Sequence, residues 1–304
     1  MKIWERVIEA RSRKETVVCE EQFGFMPGRG TTDATHALRR IVERHGELQA
    51  DLHMAFIDLE KAYDRVPRDE IWRSIREQCV PEKHVRVVKE MYRGAMRQVR
   101  SSVGMTKEFL VKVWLHQGSA LSPYIFDLIM DVLVKDVKKE APWNMMFADY
   151  VVLCEQSIDE LEEKLEDWRK ALEERGMKIC RTKSEYLALK DVQMRSCKIQ
   201  DDELKSVCKF KYLGSYIQRD GGLESKIQHR KNYGWNNWRK IIGMLCDKKV
   251  STGLKGKVYK SVVRPGMIYG GRDVANHSSP GKEDGSGGNE DSEVNVWGKK
   301  EGQD

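Results

Sequence analysis

The chain has 304 residues, 40% of them apolar, and a formal net charge of +6, enough to bury a real core and to hold two modest domains. No uninterrupted apolar run reaches the roughly 18 residues of a membrane span, and the N-terminus, with Glu5 and Arg6, lacks the hydrophobic core of a secretion signal. Seven cysteines, far apart and without a CxxC pair, argue against a zinc site or disulfide framework and for reduced thiols in an intracellular protein, cytoplasmic or nuclear.

Residues 1–14 read as a short amphipathic helix with Ile3, Trp4, Val7 and Ile8 on one side. It starts without a visible cap, which suits a chain that begins inside a larger protein. A Gly/Pro-punctuated loop, Glu21 to Gly30, feeds a second helix with apolar positions Ala34, Ala37, Leu38, Ile41 and Val42, and Thr31 or Thr32 is placed to cap it. Exposed N–H groups at that helix start, with Arg29 beside them, suit a phosphate as well as they suit a plain connector. Met54 to Leu59 reads as a buried strand carrying Asp58 at its end. Two helices follow, one with Ile71, Trp72 and Ile75 and one after Pro81 with Val85, Val88 and Met91. Residues 97–115 alternate as a hairpin turning near Gly104.

Ser122 and Pro123 predict a helix start, Ser as N-cap and Pro in the first turn. Met145 to Cys154 then sets two apolar runs around one acid, Asp149, the pattern of a strand, a tight turn and a second strand. Ser157 to Glu160 reads as a capping box for a helix with the stripe Ile158, Leu161, Leu165, Trp168 and Leu172, ending near Gly176. Lys209 to Ile217 is a further strand pair. Strands and helices gathered around two acid-tipped strands predict an α+β fold, an antiparallel sheet with helices on one face.

Charge is unevenly spread. Residues 1–225 balance at 39 basic and 39 acidic, residues 226–264 hold 11 basic residues against Asp247 alone, and 271–304 hold 4 basic against 8 acidic. Tyr233, Trp235 and Trp238 are interleaved with the basic stripe, where aromatics either stack on bases or pack a core. Asp58 and Asp149 are either two unrelated acids or a divalent-metal pair, because Mg²⁺ binds through one or two carboxylates plus substrate phosphates. Two such ions suit phosphoryl transfer.

The motifs, taken in order, are Gln22 to Phe25 with Gly28, Arg29, Thr31 and Thr32; Phe56 to Asp64; Leu115 to Ser119 with Leu121, Ser122 and Pro123; Phe147 to Asp149; and Lys209 to Gly214. Together they make residues 1–270 resemble the reverse transcriptases of non-LTR, LINE-type retrotransposons. The resemblance implies a right-hand polymerase, with partial fingers and palm over 1–225 and the start of a basic thumb over 226–270. It stops there; the low hydrophobicity and high charge of 271–304 predict a disordered tail, and a one-base shift over Asn295 to Asp304 restores family-like residues, the mark expected of a frameshifted tail. It implies Asp58 and Asp149 as catalytic metal ligands for Mg²⁺, with Mn²⁺ as a substitute. Tyr63 would screen the sugar 2′ position, unless it is an ordinary strand-end tyrosine. Gln117, Gly118 and Arg29 would contact nucleotide or template, and so would Lys183, unless it is a plain surface lysine. Lys226, Arg230, Lys231, Arg239, Lys240, Lys248 and Lys249 would track nucleic acid with a strong salt dependence. The implied partners are an RNA template, a DNA primer and deoxynucleoside triphosphates, with no membrane.

The chain departs from the family at one position. The second aspartate of the family's hairpin is Tyr150, a phenol with an unperturbed pKa near 10 that supplies no anionic oxygen at neutral pH. The expected activity is therefore RNA-directed DNA polymerisation, weak or lost. The alternative is a catalytically dead remnant that binds nucleic acid.

Overall fold

In chain order the elements are α1 (Lys2–Ser12), α2 (Thr31–Leu48), β1 (His53–Asp58), α3 (Ala62–Arg65), α4 (Arg68–Glu77), α5 (Glu82–Tyr92), β2 (Met96–Arg97), β3 (Arg100–Ser101), β4 (Gly104–Met105), β5 (Phe109–Leu110) and α6 (Ser122–Leu133). They continue with β6 (Asn144–Phe147), β7 (Tyr150–Glu155), α7 (Ile158–Glu173), β8 (Glu185–Ala188), β9 (Lys198–Ile199), β10 (Asp202–Glu203), β11 (Lys205–Ser206), β12 (Lys209–Tyr212) and β13 (Ser215–Gln218). The last are α8 (Glu224–Cys246), α9 (Thr252–Val258), a π-helical turn (Tyr259–Val263) and α10 (Arg264–Ile268). This computed structural model describes residues 2–268 apart from 95, 111–112, 114, 117, 141–142, 190–194 and 223. The described residues fall within one unit, Met1–Gly270, and the expected disordered tail lies outside them.

The central sheet runs β11-β8-β1-β7-β6. β1 is antiparallel to both its neighbours, β7 and β8, and only the short β11 runs parallel. All six residues of β1 are buried, which is why it reads as a continuous apolar run and not as an alternating one. Ala55 and Ile57 face a core shared with α4, α5, α6 and α7. Met54 and Phe56 face the opposite core, closed by α2 and the β12–β13 hairpin, where Phe56 stacks on Phe210 at 3.9 Å. That hairpin turns through Leu213 and Gly214, both at positive φ, as a two-residue connection between twisted strands requires.

Helix α7 follows its sequence pattern closely. Ser157 caps it by accepting the Glu160 N–H, and Leu161, Leu165, Trp168 and Leu172 are fully buried. Each of those side chains contributes about 1.5–3 kcal/mol on burial, so the stripe, more than propensity, holds the helix to the sheet.

Three local expectations are corrected. The inward side of α1 is Glu5, Ile8 and Ser12, while Ile3 and Trp4 are 82% and 55% exposed; specific bonds from Glu5 and Ser12, described below, set the rotation and override apolar content. Helix α2 is capped by Gly30, whose N–H is accepted by Asp33 Oδ2 at 2.8 Å, and not by a threonine. Helix α6 has Leu121 at its N-cap; the Ser122 hydroxyl instead donates to the His116 carbonyl at 2.8 Å, tying down the preceding loop.

Candidate active site

Antiparallel pairing of β1 with β7 sets Asp58 directly opposite Tyr150. The β6–β7 hairpin turns through Ala148 and Asp149, with Phe147 and Tyr150 as its closing pair. Leu59 N–H donates to the Asp149 carbonyl at 3.3 Å, so the two acids sit side by side at the same end of neighbouring strands. Asp58 is 9% exposed.

The loop after α7 folds over the same end. Cys180 N–H donates to the Asp58 carbonyl at 2.8 Å, Asp58 N–H to Ser184 Oγ at 3.3 Å, and Ser184 Oγ in turn to the Cys180 carbonyl at 2.9 Å. Between them Lys183 places its Nζ 3.7 Å from Asp58 Oδ2 while its side chain stays 68% exposed. The strand end carrying Asp58 is thus gripped from both main-chain sides, with one cation beside it.

Burial pushes the Asp149 carboxyl above the usual carboxylate range, and the charge of Asp58 adds to that; its own backbone N–H and the Lys183 ammonium oppose it. Two carboxylates forced close together in a partly desolvated place disfavour full ionisation unless a cation joins them. Tyr150, 40% exposed, has its hydroxyl pushed up by burial and by both aspartates, so it remains a neutral phenol. Among the described residues no three of His, Cys, Asp and Glu gather into a cage that could hold a metal alone. What the site offers a divalent cation is a two-carboxylate set, a donor set sufficient for Mg²⁺ where substrate phosphates complete the shell.

Tyr63, on the short α3, lies flat on Phe126 of α6, ring centroids 4.7 Å apart. Burial, then Asp127 and Asp149, keep its hydroxyl protonated. Its carbonyl accepts the Leu115 N–H at 2.8 Å, which joins α3 to the loop before α6. Gly118 of that loop has φ +87°, a conformation that favours glycine; Gln117 lies outside the described residues. The loop is anchored from α1, because Glu5 accepts both the Ser119 hydroxyl at 3.0 Å and the Ala120 N–H at 2.8 Å.

Arg29 is exposed, but its Nη1 donates to the Glu20 and Gln22 carbonyls and its guanidinium lies 5.2 Å over Phe23. It therefore folds the 20–29 loop back on itself. Lys231, Arg239, Lys240, Lys248 and Lys249 are exposed on α8 and the turn after it. Arg230 is drawn in to the Gly214 carbonyl, tying α8 to the β12–β13 turn, and the Lys226 side chain lies outside the described set. Trp238 packs edge-on to Tyr259, whereas Trp235 is 44% exposed.

Sequence patterns did not single out Glu5 or Ser184, because each acts on a segment far away in the chain. Gln22 and Gly24 stood inside a recognised motif without a role. A glutamate on the buried side of a helix is visible only once the helix is rotated into place.

An antiparallel-dominated sheet bearing two carboxylates at one end and covered by α4–α7 is the palm of a right-hand polymerase. The apo telomerase from Candida tropicalis aligns with 90% of this chain and 50% of its own at a TM-score of 0.54 and 13% identity. A second apo telomerase structure from that organism, truncated of its C-terminal domain, covers 71% of this chain and 43% of its own at 0.51 and 16%. Residues 1–217 match the family model described as reverse transcriptase (RNA-dependent DNA polymerase), and the chain belongs to that family.

Its similarity to curated proteins lies with LINE-type elements. The Pol polyprotein of retrotransposable element R2 from Nasonia vitripennis is 23% identical over 244 residues, 73% of this chain and 24% of that protein. The polymerase of the mobile element jockey from Drosophila funebris is 22% identical over 264 residues, 82% and 28%. The chain is a reverse transcriptase domain of such an element, spanning about a quarter of the length of these relatives. No helix among the described residues is long and apolar enough to cross a membrane.

Proposed function

We propose that the domain descends from, and retains the frame of, an enzyme adding deoxynucleotides to the 3′-hydroxyl of a DNA primer on an RNA template, with activity reduced by Tyr150. The observation that carries this reading is the register of β1 on β7, which sets Asp58 beside Asp149 with Lys183 Nζ 3.7 Å from the former. Asp58 and Asp149 would hold Mg²⁺, or Mn²⁺ in its place, and the ion would supply Lewis-acid polarisation of phosphate and hydroxyl oxygens. Tyr63, held flat by Phe126, is rigid enough to act as a wall against a sugar 2′-hydroxyl. Lys183, its side chain 68% exposed beside Asp58, is open to an incoming triphosphate. The exposed lysines of α8 and the turn after it suit a phosphate backbone, and binding through them falls steeply with salt.

Tyr150 is the reason for expecting impairment. It stands opposite Asp58 as a neutral ring where a carboxylate would draw in a cation. Removing one preorganised electrostatic group from a reacting centre costs about 10²–10³ in rate. The same observation favours the second reading, a domain that binds RNA–DNA hybrid without extending it.

Primer extension on an RNA template, comparing the chain with Tyr150→Asp, separates the two. Activity rising at least about a hundredfold in the variant supports an impaired polymerase frame; equal activity in both refutes the role given to Tyr150. If neither extends a primer while hybrid binding weakens with salt, the binding remnant is the better description.

A further inference from the structure

Gln22 is completely buried, and one atom of it does unusual work. Its Oε1 accepts two backbone N–H groups, from Gly24 at 2.9 Å and from Ala148 at 3.2 Å. Its Nε2 is buried without a hydrogen-bond partner. If packing were the only demand at this position, an apolar side chain would meet it without stranding a donor. The amide is retained where only its oxygen is used.

That oxygen acts on the turn that carries Asp149. Ala148 has φ +56°, in the left-handed region that a residue with a Cβ seldom occupies unless surrounding contacts hold it there. Ala148 is 5% exposed, so water does not readily serve its N–H, and the Gln22 side chain does. Backbone bonds align the two segments: Phe23 N–H donates to the Met146 carbonyl and Met146 N–H to the Glu21 carbonyl, both at 2.8 Å. Gly24 permits the approach, since a Cβ there would stand 2.5 Å from Ala148 N. On the far side, the Asp149 carbonyl is held by Leu59 N–H.

We infer that Gln22 is a positioning residue for Asp149: its side-chain oxygen fixes the strained Ala148 turn and thereby sets where the Asp149 carboxylate stands relative to Asp58. Its consequence for cation binding rests on the reading of Asp149 as a metal ligand; the anchoring of the turn does not. A partner one step behind a metal ligand is worth about 10–100-fold in metal affinity.

The test uses the full chain, with Mn²⁺ as the probe. Gln22→Met keeps size and loses the acceptor, and Gln22→Glu keeps an oxygen in place. Amide hydrogen exchange at Ala148 and Gly24 reads the turn, and paramagnetic titration reads Mn²⁺ affinity. Gln22→Met is expected to speed exchange at both amides at least about tenfold and to weaken Mn²⁺ binding by about 10–100-fold. Gln22→Glu should hold exchange within about threefold of the wild type.

Unchanged exchange and unchanged Mn²⁺ affinity in a folded Gln22→Met overturn the inference. Should that variant not fold, the wild type and Gln22→Glu decide it: slow Ala148 exchange in both supports the anchor, and fast exchange in the wild type rejects it. If exchange follows Gln22 while the wild type binds no Mn²⁺, the anchor stands and the metal-ligand reading of Asp149 is what fails.

Discussion

Replacing Asp127 by asparagine is expected to stabilise the fold at neutral pH, by an amount that grows as pH rises. Asp127 lies on α6, fully buried, with neither carboxyl oxygen hydrogen-bonded. Burial raises its pKa from 3.8 to about 8; Arg13 pulls it down and Glu9 pushes it up, both more weakly. The folded chain thus holds a proton that the unfolded chain releases. Stability from this group is full below the unfolded value of about 3.8, falls through the window up to about 8, and is flat above it.

At ~1.4 kcal/mol per pH unit, keeping the carboxyl neutral costs about 4 kcal/mol at pH 7 and about 1.6 kcal/mol at pH 5. Asparagine has no such proton to hold. Differences between an amide and a neutral acid in packing or bonding do not change with pH, so they cancel when two pH values are compared. Urea denaturation of both proteins should therefore show the advantage of Asp127→Asn increasing by about 2–3 kcal/mol between pH 5 and pH 7. A stability difference that stays constant across that interval would show that Asp127 is not held neutral by its burial.

Two further substitutions probe the supports of the site. Glu5→Ala removes the acceptor of Ser119 Oγ and Ala120 N–H and should cost about 2–3 kcal/mol in chemical denaturation, whereas Glu5→Gln, which keeps an acceptor, should cost less than half as much; equal losses would mean that the charge matters and the two bonds do not. Gly24→Ala drives a Cβ against Ala148 N and Phe147 C, so a loss of about 1–3 kcal/mol is expected, with faster amide exchange at Ala148. A neutral melt with unaltered exchange would show that the hairpin has room to spare.

The scaffold was largely legible in the sequence because its signals are local. The Ser157 cap and the Leu161–Leu165–Trp168–Leu172 stripe need only a helix period. The all-apolar run ending on Asp58 announces a central strand, and the acid between two apolar runs announces the Asp149 hairpin. The misjudged details are those that distant groups decide. Ser122 has the composition of a cap, yet the His116 carbonyl takes its hydroxyl. Thr31 and Thr32 are outcompeted by Asp33 folding back on Gly30. The face of α1 is chosen by Glu5 reaching the Ala120 loop and Ser12 meeting His84 at 3.1 Å, which leaves Ile3 and Trp4 outside. No periodicity encodes a bond between residues so far apart.

The place of β1 in the sheet bears on how the domain comes into being. Its neighbours on either side, β7 and β8, are both made much later in the chain, after α3, α4, α5, α6 and the short strands between α5 and α6. A nascent chain emerging from the ribosome therefore carries the His53–Asp58 strand with both edges bare until Glu155 is out, and with one edge still bare until Ala188 follows. Such an unpaired apolar strand favours slow closure and invites pairing with another chain. Products truncated before β7 would keep several helices and gain no site, and they should be the most aggregation-prone fragments of this domain.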